Sequence, residues 1–392
     1  MNSARSDRRL RVGIVGCGGI ARSHARAYRD NERAELVGGF DIVPDRTTGF
    51  AAEQGGAAYR TLGELLDQAP DLVSVATPPG SHTAVTKAVL EAGCSVLLEK
   101  PPTTNLADMD VLAAAEAASA GSLYVVFQHR HGSAARRAHR LLTSGALGAP
   151  QVAVCETLWY RPDSYFLPDW RGNWEGEGGG PTLGHGIHQI DLLLHLMGDW
   201  ESLDARAAKI GRPIEFEDVS MAVVTFASGA IGSVVTSLLS PRELSRIRID
   251  TTGGTLEVNH VYGYRDTDWS WSPAPDASEA DTLGRDPGPR GDDGSSALGD
   301  RASIWDASAG ADVPSNHAAQ INQLIDDLLA DRPHATTLAS ARPTMEFVTA
   351  AYMSALEGGS VRRGDLSPDH GFYRRLDGGL PADRVARRLN IG

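Results

Sequence analysis

The chain has 392 residues, with 37 Lys plus Arg against 50 Asp plus Glu, a formal charge of −13, and 41% hydrophobic, 22% charged and 6% aromatic residues. That apolar share excludes a disordered chain, and the length exceeds the ~250–300 residues that one core accommodates, so two domains are expected. The acidic balance excludes a nucleic-acid partner, which calls for a basic face.

Arg8-Arg9 followed by apolar residues up to Ala21 imitates a twin-arginine signal. Those residues read better as a strand and glycine turn, and no small-residue cleavage pattern follows. No stretch approaches the ~20 mostly apolar residues of a membrane-spanning helix. Cys17, Cys94 and Cys155 are too few for a disulfide framework, and none lies in C-x-x-C spacing. A cytoplasmic protein without membrane contact is expected.

From residue 10 the chain alternates strand and helix patterns. Leu10–Val15 is a β-branched run, 23–30 a helix, 35–40 a strand ending at Asp41, and 71–76 a strand closed by Thr77-Pro78-Pro79. Residues 82–92 form a helix, Ser95–Leu98 a strand, 107–120 an Ala-rich helix and 123–127 a further strand. This spacing predicts βαβ units and a doubly wound parallel sheet over residues 1–128, buried on both faces. Beyond it, strand-like runs at 151–159, 203–210, 219–226, 230–238 and 246–258 predict a mainly antiparallel sheet in a second α/β domain over 129–392. Helices are expected near 183–197 and 318–330. Residues 276–300 hold ten Gly, Pro or Ser, and seven acids against two arginines. That composition predicts a solvated acidic loop.

The first strand runs into Gly16-Cys17-Gly18-Gly19-Ile20-Ala21, a G-x-G-x-x-A sequence that opens a helix. Gly16 makes the tight turn, Gly18 lets backbone approach a pyrophosphate, and Ala21 permits close helix packing. The helix N-terminus offers free N–H groups to the phosphates. Asp41 lies 23 residues after Gly18. A carboxylate there accepts from a ribose 2′-hydroxyl and repels a 2′-phosphate, which favours NAD. Arg46 keeps NADP as the alternative.

Glu99-Lys100-Pro101-Pro102 closes a parallel strand, where ligands of open α/β sheets bind. In Gly178-Gly179-Gly180…Gly184-His185-Gly186-Ile187-His188…Asp191, a helix over 183–197 places His188, Asp191 and His195 on one face. An imidazole beside a carboxylate is a candidate general base near neutral pH. A zinc set of His185, His188 and His195 has no cysteine or H-E-x-x-H pattern behind it, so no metal is expected.

The glycine fingerprint, Thr77-Pro78 with His82, the E-K-P sequence and G-G-G…G-x-H-x-x-D together resemble the glucose–fructose oxidoreductase, inositol dehydrogenase and rhizopine-catabolism (Gfo/Idh/MocA) family. The resemblance runs over residues 10–240 and again near 318–361. It implies a Rossmann domain, a second domain whose open sheet often forms oligomer interfaces, and a nicotinamide between Lys100 and His188. It implies that Lys100 binds the substrate hydroxyl, His188 is the acid/base, and Asp191 supports the site or contacts substrate. Thr77, Pro78, His82 and Glu99 then belong with Gly16, Gly18, Gly19, Ile20, Ala21, Asp41 and Arg46 on the cofactor side, as does Arg171. One departure stands out: Gly184 occupies the position where many family dehydrogenases carry Asp, which leaves His185 or a water to take that place.

Trp159-Tyr160 and Tyr165…Trp170-Arg171…Trp174 concentrate aromatics just before the glycines, and Trp and Tyr can cover the apolar face of a sugar ring. Tyr160, Trp170, His185 and Arg130, at the domain junction, are candidate substrate residues. The expected activity is hydride transfer between NAD(P) and a secondary hydroxyl or keto group of a sugar, glycoside or cyclitol, by a homodimer or homotetramer. A redox-assisted glycoside hydrolase or lyase with bound NAD, and a non-catalytic dinucleotide-binding regulator, are the alternatives.

Overall fold

The computed structural model describes residues 8–275, 304–306 and 310–390. The first domain is a six-stranded parallel sheet of β1 (Leu10–Val15), β2 (Ala34–Phe40), β3 (Ala57–Tyr59), β4 (Leu72–Val75), β5 (Ser95–Leu98) and β6 (Leu123–Val125), in the order β3-β2-β1-β4-β5-β6. The strand order reverses at β1, so the crevice beside the glycine loop lies at the topological switch point where doubly wound sheets bind dinucleotides. Val12, Ile14, Val73, Val75, Val96 and Leu98 are wholly buried, as a sheet covered on both faces requires. The first helix starts at Gly19, earlier than the pattern predicts, because its first turn is drawn from the glycine loop itself.

The second sheet has eight strands: β7 (Pro150–Tyr160), β8 (Trp200–Ala208), β9 (Val219–Phe226), β10 (Ile231–Ser237), β11 (Leu239–Thr251), β12 (Gly254–His260), β13 (Trp269–Pro273) and β14 (Val361–Arg362), in the order β13-β12-β11-β7-β10-β9-β8-β14. Neighbours are antiparallel except β7 and β10. The single strand expected over 246–258 is two, because Thr252-Gly253 turns the chain back. One face of this sheet packs against helices Ile187–Met197 and Leu338–Glu357. The other leaves Val152, Met221, Val223 and Ile231 between 47% and 57% exposed.

The division at residue 128 needs one amendment. Helix His317–Leu329 lies far down the chain, yet Ile321, Leu324 and Ile325 are buried in one cluster with Leu10, Val12, Ile14 and Leu72. Asn316 caps it by accepting from the Ala319 N–H at 2.9 Å. Its apolar stripe is the missing cover of the Rossmann sheet. The acidic stretch 276–300 lies outside the described residues. Among the described residues, no helix is long and apolar enough to cross a membrane.

The helix expected over 183–197 is broken into Pro181–Gly184 and Ile187–Met197. A Cβ at Gly186 would stand 2.5 Å from Thr236 Oγ1 on β10, so the chain there presses against the sheet. The second piece is anchored from behind. Asp191 accepts from Arg130 Nε at 2.7 Å, from the same guanidinium's NH2, and from Thr344 Oγ1 at 3.1 Å. Arg130 NH2 also donates to the Ser340 carbonyl. Asp191 and Arg130 are paired with each other in the interior, so Asp191 anchors this helix from behind and is not the partner of His188. Burial pushes the Asp191 carboxyl up, against Arg130. Removing one member strands a buried charge. Asp191→Ala is therefore expected to destabilise the fold by about 3–5 kcal/mol, read by denaturant unfolding of the full-length protein.

Candidate active site

The glycine loop is shaped for a dinucleotide. Gly16 has φ +89°, and a Cβ there would meet the Ala76 backbone at 2.7 Å, so only glycine allows β1 to turn against the end of β4. At Gly18 and Gly19 a Cβ would meet nothing within 4 Å, which leaves an open cradle above helix Gly19–Arg29. That helix has no side-chain cap and no acid in its first turn, so its leading N–H groups face the cradle uncompensated, as a pyrophosphate needs. Asp41 is held beside it: Oδ2 accepts from Cys17 N and Oδ1 from Val43 N, both at 2.9 Å. Ile42, next in sequence, is 88% exposed. Arg46 is exposed two residues into the following helix.

Two of the expected cofactor residues turn inward. His82 is fully buried with Nδ1 2.8 Å from the Pro101 carbonyl and Nε2 2.8 Å from the Thr77 carbonyl, so it staples the T-P loop to the E-K-P loop. Glu99 is buried, and its carboxylate faces His24, His317 and the Lys100 N–H. Thr77 Oγ1 accepts from Ser81, and Pro78 is exposed at the cleft rim.

Lys100 crosses to the second domain. Its Nζ donates to the Gly184 carbonyl at 2.8 Å. Burial pushes this ammonium below its ordinary range, and Glu99 opposes that shift. A Cβ at Gly184 would meet nothing within 4 Å, so the place of the absent carboxylate is open space beside the ammonium. His188 begins one turn further on, its ring 5.4 Å from His129 and 5.6 Å from Tyr262, edge-on to both. Its Nδ1 is buried without a partner, as is Nδ1 of His185. Burial first, then Lys100, holds both imidazoles well below their ordinary pKa, so both are neutral near pH 7.

Around His185 and His188 stand aromatic residues that sequence reasoning placed only in part. Trp159, not Tyr160, faces the cleft: its ring meets His185 at 5.3 Å, while its Nε1 donates to Ser245. Strand alternation turns Tyr160 outward, 41% exposed under the Arg212 guanidinium. Tyr165 hydroxyl is 3.3 Å from His185 Nε2 and accepts from Arg171. Arg171 also binds Glu177 at 3.0 Å and lies over the Trp170 and Tyr165 rings, which places it beside Tyr165 rather than on the glycine loop. Tyr262 and His129 were missed. They reach His188 from the turn after β12 and from the domain junction, which no local pattern links. Among the described residues, His24, Glu99 and His317 bring a donor atom each to within 4.8 Å of one another; His185, His188 and His195 make no such cluster.

Residues 10–127 match the oxidoreductase family with an NAD-binding Rossmann fold, and residues 135–257 match the GFO/IDH/MocA C-terminal domain. The chain is 30% identical to the D-glucoside 3-dehydrogenase of Escherichia coli (strain K12), over 67% of this chain and 81% of that protein. It is 27% identical to the UDP-N-acetylglucosamine 3-dehydrogenase of Acidithiobacillus ferrooxidans, over 64% of this chain and 77% of that one. The WlbA dehydrogenase of Bordetella pertussis, crystallised with NADH and UDP-GlcNAcA, matches with a TM-score of 0.76 and 27% identity, over 91% of this chain and 99% of that chain.

The open cradle gives a direct test. Gly18→Ala should leave the melting temperature of the cofactor-free protein unchanged while weakening NAD binding at least about tenfold, since the new methyl occupies pyrophosphate space; calorimetric titration reads the affinity. With the switch-point crevice, the glycine cradle and the matches over both halves, the chain belongs to the Gfo/Idh/MocA family of NAD-binding oxidoreductases.

Proposed function

We propose that this chain is an NAD-dependent dehydrogenase that oxidises a secondary hydroxyl of a sugar or glycoside, with His188 as the base and Lys100 as the cation facing the substrate oxygen. The observation that carries the reading is the Lys100–Gly184 contact: it sets an ammonium from the Rossmann half beside the turn that leads into His188. When bound, NAD supplies the hydride acceptor.

His188, neutral at rest, takes the hydroxyl proton. Lys100 stabilises the negative charge that develops on the substrate oxygen, an electrostatic term of the oxyanion-hole type. Trp159, Tyr165 and Tyr262 flank the imidazoles with ring surface suited to a pyranose face. Asp41 favours NAD over NADP. The three relatives named as 3-dehydrogenases, of a D-glucoside, of UDP-N-acetylglucosamine and of glucose 6-phosphate, make the C3 hydroxyl the first position to examine.

The assay is absorbance at the reduced-nicotinamide band across hexoses, glycosides, nucleotide sugars and inositols, with NAD and NADP. A signal with NAD on a pyranoside supports the reading. Product without net reduced cofactor points instead to a hydrolase or lyase that regenerates NAD. Lys100→Ala should lower kcat by roughly 10²–10³ while NAD affinity stays within about threefold; near-normal turnover would sink the assignment of Lys100.

The exposed strip of Val152, Met221, Val223 and Ile231 supports a homodimer or homotetramer formed through the sheet face. Met221→Asp with Val223→Asp is expected to shift the protein to monomer in analytical ultracentrifugation without loss of fold. The buried free cysteines fit a cytoplasmic enzyme.

A further inference from the structure

Behind Lys100, the E-K-P glutamate faces two histidines that the proposed chemistry does not use. His24, fully buried on helix Gly19–Arg29, brings Nε2 to 2.9 Å of Glu99 Oε1. Its Nδ1 is 3.0 Å from Ser74 Oγ, and Ser74 Oγ is 2.6 Å from the Tyr28 hydroxyl. An ionised carboxylate only accepts, so Nε2–H donates to Glu99. The neutral ring then accepts at Nδ1, Ser74 donates to it, and Tyr28 donates to Ser74. The hydrogen bonds therefore run in one direction, from Tyr28 to Glu99. His317, the first residue of helix His317–Leu329, places Nε2 3.3 Å from the same carboxylate oxygen, with its ring centroid 5.4 Å from that of His24. The other oxygen accepts the backbone N–H of Lys100 at 3.1 Å.

We propose that His24 and His317 are positioning residues for the dehydrogenase reaction: together they fix the Glu99 carboxylate, and the fixed carboxylate sets the placement and charge of Lys100. This rests on the reading of Lys100 as the substrate-facing cation. Glu99 is 5% exposed, and burial works against its charge; bonds from the two histidines more than offset that, holding it well below the usual carboxylate range. The charged groups around Lys100 are Glu99, Arg171, Glu177 and Arg161. Glu99 and Glu177 favour the ammonium, while burial and the two arginines oppose it. A fixed, ionised Glu99 therefore favours the charged form of Lys100, the form that stabilises an alkoxide. His317 comes from the helix that covers the Rossmann sheet, so the last third of the chain completes the support of a residue in the first.

The chain has only three lysines, Lys87, Lys100 and Lys209, so lysine-specific ¹³C labelling resolves each titration. Lys87→Arg and Lys209→Arg assign the signals. In the full-length protein, Glu99→Gln and His317→Ala should lower the Lys100 midpoint by about half a pH unit or more and leave the other two unmoved. His317→Gln, which keeps an N–H donor, should restore it. The alkaline limb of kcat should move to lower pH in the same variants, because the ammonium is lost earlier. An unchanged Lys100 midpoint in Glu99→Gln, which conserves volume and remains informative should His317→Ala fail to fold, overturns the proposal. So does one equivalent of zinc in the wild-type protein that His317→Ala loses, since the three side chains would then be metal ligands. A wild type that titrates as expected but reduces no NAD with any sugar counts against the functional reading alone.

Discussion

An ammonium held at a domain boundary needs fixed partners, and Lys100 has one on each side: the charge of Glu99 and the carbonyl of Gly184. Its charge is balanced from the Rossmann half by Glu99, and its Nζ is held across the cleft by the Gly184 carbonyl. The second contact needs a carbonyl that is not spent inside a helix. The break between Pro181–Gly184 and Ile187–Met197 frees that carbonyl, and the break itself follows from the close approach of Gly186 to Thr236. Sheet packing in the second domain thus fixes where the lysine of the first can reach. The same break starts the next helix at Ile187, so that His188 opens it rather than lying midway along a longer one.

The interior around this contact is unusually rich in histidine and short of free carboxylate. Burial lowers the pKa of His129, His131, His185, His188 and His195, so these rings are neutral near pH 7. The one carboxylate on the His188 helix face, Asp191, is consumed by Arg130 and Thr344. Glu177 is tied to Arg171 and the Gly172 N–H. His188 therefore has no carboxylate partner of its own among the described residues, and burial, then Lys100, holds its pKa well below the ordinary value.

The Rossmann half was readable because its signals are local. Strand runs end in turn residues, the glycines follow a strand and precede a helix, and Asp41 closes the next strand, so the type of each element read there follows from spacing; β3, the helices Pro44–Gln54 and Leu62–Leu66 on either side of it, and the strand order across the sheet carry no such signal. The E-K-P lysine and His188 stand out in the sequence for a related reason: each sits where an element begins or ends. What failed needs distant partners. Asp191 and His188 share a helix face, but Arg130, 61 positions away, decides which way the carboxylate is used. Of Trp159 and Tyr160, only the register of β7 against its neighbours tells which faces the cleft. His24 carries a faint signal, a lone imidazole on the buried face of the first helix. His317 carries none, since its partner is a carboxylate 218 positions earlier, brought close only because helix His317–Leu329 covers the Rossmann sheet.

Gly184 ties these threads together. With a carboxylate at that position, the base would have an anion to stabilise its protonated form, and the ammonium would have a second counter-charge. Here the space is open, and the charge of Lys100 adds to burial in lowering the affinity of His188 for a proton. In the proposed reaction, a proton beside Lys100 is least unfavourable on His188 when negative charge gathers on the substrate oxygen. The cost of the missing aspartate is thereby shifted onto Glu99, the carboxylate that can keep the ammonium charged from behind, and that is why its own fixation by two histidines matters to the chemistry in front.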